Sequence, residues 1–196
     1  MTKGIDSNTV LTNRTGCLAK AGIQFAGRYY KYSDTCLKRD EAEALSRAGI
    51  WIVSIWELGL PTQARYFNRA SGEATGLYSA ELAQDAGQPA GTAIYYTVDY
   101  DAALSDLVQV EEYFRGIRQA KHDYMVGVYG SGLVCERIQA VGLAEKTWLA
   151  APLGWRGSEY SWWDIRQTAV ERSLCGVMVD LNESRGDGGG WRIDTS

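Results

Sequence analysis

No C-x-x-C pair occurs in this sequence: its four cysteines, Cys17, Cys36, Cys135 and Cys175, stand 19, 99 and 40 residues apart, which removes the ordinary spacings of zinc and dithiol sites. With a single histidine, His122, zinc would lack its usual ligands and a nucleophilic triad its usual base, so no metal and no cofactor are expected. His122 itself is read as a solvated residue at the end of the fourth helix. No apolar run approaches the roughly 18 residues of a membrane span, and Met1-Thr2-Lys3-Gly4-Ile5-Asp6 lacks the apolar stretch of a secretory signal. Synthesis in the cytoplasm without membrane insertion is the expectation; action outside it would need another delivery device. The formal charge of −4 and pI near 5.1 show no basic excess for gripping phosphate backbones, which argues against nucleic acid as a partner. Neither G-x-G-x-x-G nor a Walker loop marks a nucleotide crevice. The thiols are expected free and buried; Cys17 and Cys36 could meet on one rim, but spacing alone shows no bridge.

What is present is an ordinary globular balance, 45% hydrophobic and 22% charged, with a core to bury. At roughly 150 residues per domain, the length suits one domain over 1–196, expected as a monomer. A helical stripe, then a glycine, then a β-rich run recurs at Gly22, Gly49, Gly87 and Gly142, as helices ended by glycine would produce. The clearest helix follows Ser105 as its N-cap, with Leu107, Val110, Phe114 and Ile117 on one face. Strands are expected near 3–7, 25–30, 50–57, 92–99, 125–130, 147–151, 162–167 and 176–182. Eight strands alternating with helices predict an α/β fold, an irregular TIM-like (β/α) barrel with about five βα units and three further strands with reduced helices. The stretches 152–161 and 168–175 are too short for parallel crossovers, so the late strands join irregularly or run antiparallel. An open doubly wound sheet is the alternative.

Barrels gather their reacting groups where strands end. Those ends carry Asp6, Glu57, Asp99, Asp101 and Asp180 with no lysine among them. Any one of them could merely cap a helix or solvate a loop, and Glu57 could pair with a base such as Arg28. Together they suit glycoside hydrolysis, in which one acid protonates the leaving oxygen while a second carboxylate attacks or stabilises the sugar. Tyr29, Tyr30, Trp56, Tyr129, Trp155, Tyr160, Trp162 and Trp163 also fall at or beyond strand ends, where flat rings can stack on sugar faces. Of these, Tyr29, Tyr30, Trp56, Tyr129 and Trp162, with Gln167 on the seventh strand, are the expected substrate contacts. Trp51 and Tyr95, inside strands, are read as core.

Four motifs in order carry a family resemblance: Gly4-Ile5-Asp6-Ser7, Ile94 to Asp101, Val126-Gly127-Val128-Tyr129-Gly130 and Val179-Asp180-Leu181-Asn182. They resemble the family-25 glycoside hydrolases, lysozymes that cut peptidoglycan between N-acetylmuramic acid and N-acetylglucosamine. A sister family of glycoside-hydrolase-like barrels is closer still, its third strand reading much like Ile52-Val53-Ser54-Ile55-Trp56-Glu57. The resemblance spans essentially the whole chain and implies five βα units plus three strands. It implies functional roles for Asp6, Asp99 and Asp180, whereas the family's Asp-x-Glu is here Asp99-Tyr100-Asp101. Glu57 is the expected proton donor and Asp101 the second choice. A retaining peptidoglycan hydrolase of muramidase type, used as an endolysin or as an effector delivered to a cell wall or periplasm by a holin or a secretion system, is the implied activity. A glycan-binding barrel that no longer cuts, or a glycosidase for another polysaccharide, are the alternatives.

Overall fold

A computed structural model describes residues 1–31, 33–59 and 61–194. Eight strands close a barrel in sequence order: β1 Thr2–Asp6, β2 Phe25–Tyr30, β3 Trp51–Trp56, β4 Ala93–Thr97, β5 Met125–Gly130, β6 Lys146–Leu149, β7 Ile165–Leu174 and β8 Val177–Ser184. Five helices follow the first five strands: α1 Thr15–Lys20, α2 Arg39–Arg47, α3 Arg69–Ala86, α4 Leu107–Gln119 and α5 Gly132–Ala140. Among the described residues no helix lies between β6 and β7, which are nevertheless parallel, and β8 alone runs antiparallel to both its neighbours. The irregular TIM-like barrel expected from the alternation is therefore the fold.

Local chemistry sets the elements. Asn68 and Ser71 form a capping box at the start of α3, and Gly87 takes a left-handed φ of 82° at its end, satisfying the last carbonyls as no residue with a Cβ does as cheaply. Ser105 does not cap α4. It lies inside a 3-10 turn, Leu104–Asp106, and the Asp106 side chain accepts from the Ala103 N–H instead. The predicted apolar face of α4 is buried throughout. Helices α3 and α4 pack backbone to backbone, since a Cβ on Gly72 would stand 1.9 Å from the Tyr113 carbonyl oxygen and one on Gly116 2.1 Å from that of Arg69.

Strand alternation divides the core in two. Outward residues such as Ile5, Ala26, Tyr30, Ile52, Trp56, Ile94, Tyr96 and Val128 form the layer between barrel and helices. Inward residues Phe25, Val53, Ile55, Tyr95, Trp148 and Ile165 fill the lumen. The large rings fit because glycines face them: a Cβ on Gly4 would fall 2.3 Å from the Phe25 ring, on Gly27 2.8 Å from Trp148, and on Gly127 2.6 Å from Tyr95. Trp51, expected as core, is 38% exposed at the start of β3 with the Arg192 guanidinium over its ring. His122 is partly buried rather than solvated, its ring within 3.3 Å of the Tyr96 hydroxyl and of the Tyr124 N–H.

Cys17 of α1 is bonded to Cys175 at the β7–β8 turn, 158 residues away, which corrects the expectation of free thiols and of a Cys17–Cys36 neighbourhood. Cys36 and Cys135 are free and buried.

Candidate active site

At the carboxyl end of the parallel strands the lumen opens into a cavity of about 220 Å³, lined by Asp6, Tyr29, Ile55, Glu57, Thr97, Asp99, Tyr129, Trp148, Gln167 and Asp180. Period-two alternation explains the membership: Asp6, Tyr29, Ile55, Thr97, Tyr129, Trp148 and Gln167 are inward positions, and Glu57 and Asp99 continue the inward parity of β3 and β4 just past the strands. The antiparallel course of β8 sets Asp180 opposite Asp6 in register, so the first and last strands contribute facing carboxylates.

A hydrogen-bond network fixes the floor. The Trp148 indole N–H can only donate, and it donates to Asn182 Oδ1 at 3.0 Å. That orients the Asn182 amide so that its Nδ2 donates to Asp6 Oδ2 at 2.8 Å. The Tyr29 hydroxyl donates to Asp6 Oδ1 at 2.8 Å, and Gln167 Nε2 donates to Asp6 at 3.4 Å and to Asp180 Oδ2 at 2.9 Å. Gln167 Oε1 accepts in turn from the Tyr129 hydroxyl and the Ala151 N–H. Asp180 Oδ1 accepts from the Glu171 backbone N–H at 2.7 Å.

Ionisation follows from this setting. Burial pushes Asp6 up to about 6, against the pull of Asn182 and its other donors. Glu57 is pushed up to about 7, first by burial and then by repulsion from Asp99, with Lys31 opposing. Burial also raises Asp99, helped by Asp180, and raises Asp180 against the Glu171 N–H. A neutral carboxylic acid thus sits beside carboxylates that stay charged more readily, the arrangement that separates acid from base or nucleophile.

Four of the five expected carboxylates meet in the cavity, with Tyr29, Tyr129 and Gln167 beside them. Asp101 does not: its carboxylate bonds the Arg156 guanidinium at 2.5 Å and the Arg156 N–H at 2.7 Å, on the loop after β6. Tyr30 and Trp56 have the opposite parity to Tyr29 and Glu57 and are buried under the helices, the Tyr30 hydroxyl donating to Gln88. Trp162 precedes β7 and therefore lies at the far, amino end of the barrel, 80% exposed. Trp163, next to it, is held between the guanidiniums of Arg166 and Arg185. Arg28 points outward and forms a buried pair with Glu41 at 2.7 Å, so it is no partner of Glu57. Trp148, Thr97 and Asn182 join the site without having been singled out. Asn182 stands two residues from Asp180 on a strand, the spacing that shares a face.

Comparisons with known proteins place this fold. The Tat-secreted protein Rv2525c of Mycobacterium tuberculosis, solved in complex with L-tartrate, superposes with a TM-score of 0.84 at 22% identity, over 97% of this chain and 98% of that one. GHIP, a glycosyl hydrolase 25 of Streptococcus pneumoniae, superposes with a TM-score of 0.60 at 11% identity, over 93% and 86%. Among curated sequences, FadG of Bacillus subtilis is 28% identical over 156 residues, 72% of this chain and 27% of FadG. The chain thus spans about a quarter of the length of the curated relatives it matches. The model of the Rv2525c-like, glycoside hydrolase-like domain matches residues 16–196, and the chain belongs to that family.

Proposed function

We propose that the chain is a retaining glycoside hydrolase acting on peptidoglycan glycan strands, with Glu57 as proton donor and Asp99 as the carboxylate facing the sugar. The observation carrying this reading is the gathering of Asp6, Glu57, Asp99 and Asp180 in one cavity, with Glu57 protonated up to about pH 7. Glu57 gives its proton to the glycosidic oxygen as the bond to the anomeric carbon breaks. Asp99, on the neighbouring strand, either attacks that carbon or stabilises the cation formed when the substrate's own acetamido oxygen attacks. Asp6 accepts from three side chains and therefore serves as a fixed acceptor of substrate hydroxyl or amide hydrogens rather than as the acid. The Tyr29 and Tyr129 rings supply flat walls for a sugar face. The cavity is smaller than the ~300–1,000 Å³ of typical ligand sites, which suits one sugar ring with the remaining strand lying across the rim.

A second reading, a barrel that binds glycan without cutting it, draws on Asp101, which stands where the resemblance puts an acid and is engaged by Arg156. One experiment separates the two. Purified peptidoglycan is incubated with the protein and the soluble products are analysed by mass spectrometry: new reducing N-acetylmuramic acid ends support the hydrolase, retention on the glycan without release supports the binder, and the absence of both excludes peptidoglycan as the ligand.

A further inference from the structure

Strands β7 and β8 continue past the barrel rim as a two-stranded arm, and the register of the pair slips twice, between Gln167 and Ala169 and between Ala169 and Arg172. Inside the second slip Glu171 has φ 53°, a left-handed conformation that a residue with a side chain rarely adopts. Its effect is specific: the Glu171 N–H, which a regular ladder would spend on β8, turns to Asp180 Oδ1 at 2.7 Å. The other carboxylate oxygen of Asp180 takes Gln167, from the same arm. At the tip, Cys175 (φ 53°) and Gly176 (φ 76°) make the reversal, and Cys175 is bonded to Cys17 of α1. The Ser7 hydroxyl donates to the Met178 carbonyl at 2.7 Å. The arm is therefore held at its root by the barrel and at its tip by a covalent bond, with Glu171 between the two.

We propose that Glu171 is a positioning residue whose backbone N–H fixes the Asp180 carboxylate in the cavity, and that the Cys17–Cys175 disulfide keeps the arm in the shape that presents it. This inference rests on the assignment of the cavity as the active site but not on glycan cleavage. A hydrogen bond to an ionised carboxylate favours the charged form, so its loss makes Asp180 bind its proton about tenfold more tightly.

The test follows the Asp180 side-chain carboxyl by ¹³C NMR against pH in the whole chain, together with hydrogen exchange of the Glu171 amide. In the oxidised wild type that amide is expected to be protected. The Glu171 carboxylate itself repels Asp180, so Glu171→Gln sets the reference titration; in Glu171→Val, whose β-branched side chain opposes a positive φ, the Asp180 titration moves up about tenfold in proton affinity from that reference, whereas Glu171→Gly stays with it. Thiol reduction of the wild type, which needs no variant to fold, accelerates exchange of the Glu171 amide at least tenfold and moves Asp180 the same way. An unprotected Glu171 amide in the oxidised protein, an Asp180 titration in folded Glu171→Val equal to that of Glu171→Gln, or no response to reduction overturns the proposal. If the titrations move as stated while no glycan is cut, the hydrolase reading fails and the positioning role stands.

Discussion

The proposed reaction assigns the proton to Glu57 because it combines burial, a like-charged neighbour and no ion pair within 4 Å among the described residues. Glu57→Gln keeps the shape but removes the acidic proton, and turnover on peptidoglycan is expected to fall roughly 100-fold or more while glycan affinity survives. The kcat/KM profile of the wild type should lose activity as pH rises through about 7, where Glu57 ionises; a limb unchanged in Glu57→Gln assigns it to another group. Asp101→Asn, outside the cavity, should leave turnover within a few-fold of wild type. The raised pKa also has a stability sign. The folded state holds the Glu57 proton more tightly than the unfolded chain, so the contribution is most favourable below pH about 4.5 and is lost as pH rises toward 7. Glu57→Gln should therefore melt higher than wild type at pH 8, by about 1–3 kcal/mol after allowance for partial exposure, and the two should converge near pH 4 in calorimetry. The carboxylates were legible from the sequence because acids at strand ends are unusual there. Tyr29 and Tyr30 were not separable, since adjacent residues face opposite sides and nothing local says which side is the lumen. The pairing of Asp101 with Arg156 was not legible, since Arg156 lies 55 residues further on.

At the scale of strands and helices, glycine placement governs the packing. Gly27 carries no side chain where a Cβ would meet Asp6 Cβ at 2.7 Å and Trp148 at 2.8 Å, so Gly27→Ala must displace either the acceptor carboxylate or the indole that orients Asn182. A loss of about 1–3 kcal/mol in chemical denaturation is expected, accompanied by a change in Trp fluorescence as the Trp148–Asn182 bond is disturbed. All eight strands and the five helices after the first five were readable, because apolar periodicity and helix-ending glycines are local signals. The 3-10 turn at Leu104–Asp106, the long bulged arm of β7 and β8, and the parallel course of β7 were not. The first rests on a local side-chain bond from the Ala103 N–H to Asp106, the second on register slips between consecutive strands and the third on pairing with β6, and none of these leaves a mark in apolar periodicity.

In the whole molecule the decisive contact is between β1 and β8, which pair from Thr2 with Ser184 to Asp6 with Asp180. The disulfide reinforces the same closure, and a covalent loop of 158 residues removes much unfolded-state freedom; replacing both cysteines, Cys17→Ser with Cys175→Ser, should cost roughly 2–5 kcal/mol of stability in denaturant unfolding. The pairing went unread because cysteine spacing does not reveal which ends of a closed barrel coincide.

That closure also imposes an order in time. Asp6 leaves the ribosome well before its neighbours Gln167, Asp180 and Asn182, which come from the last two strands of the barrel. A nascent chain can stack its early βα units, but it holds an open sheet with an unfilled lumen until β8 emerges. A chain ending at Leu174 should accordingly be degraded by protease far faster than the full chain and should show no protected β1 amides. The cavity would then be the last part of the barrel to take shape, its facing carboxylates meeting only once β8 has joined β1.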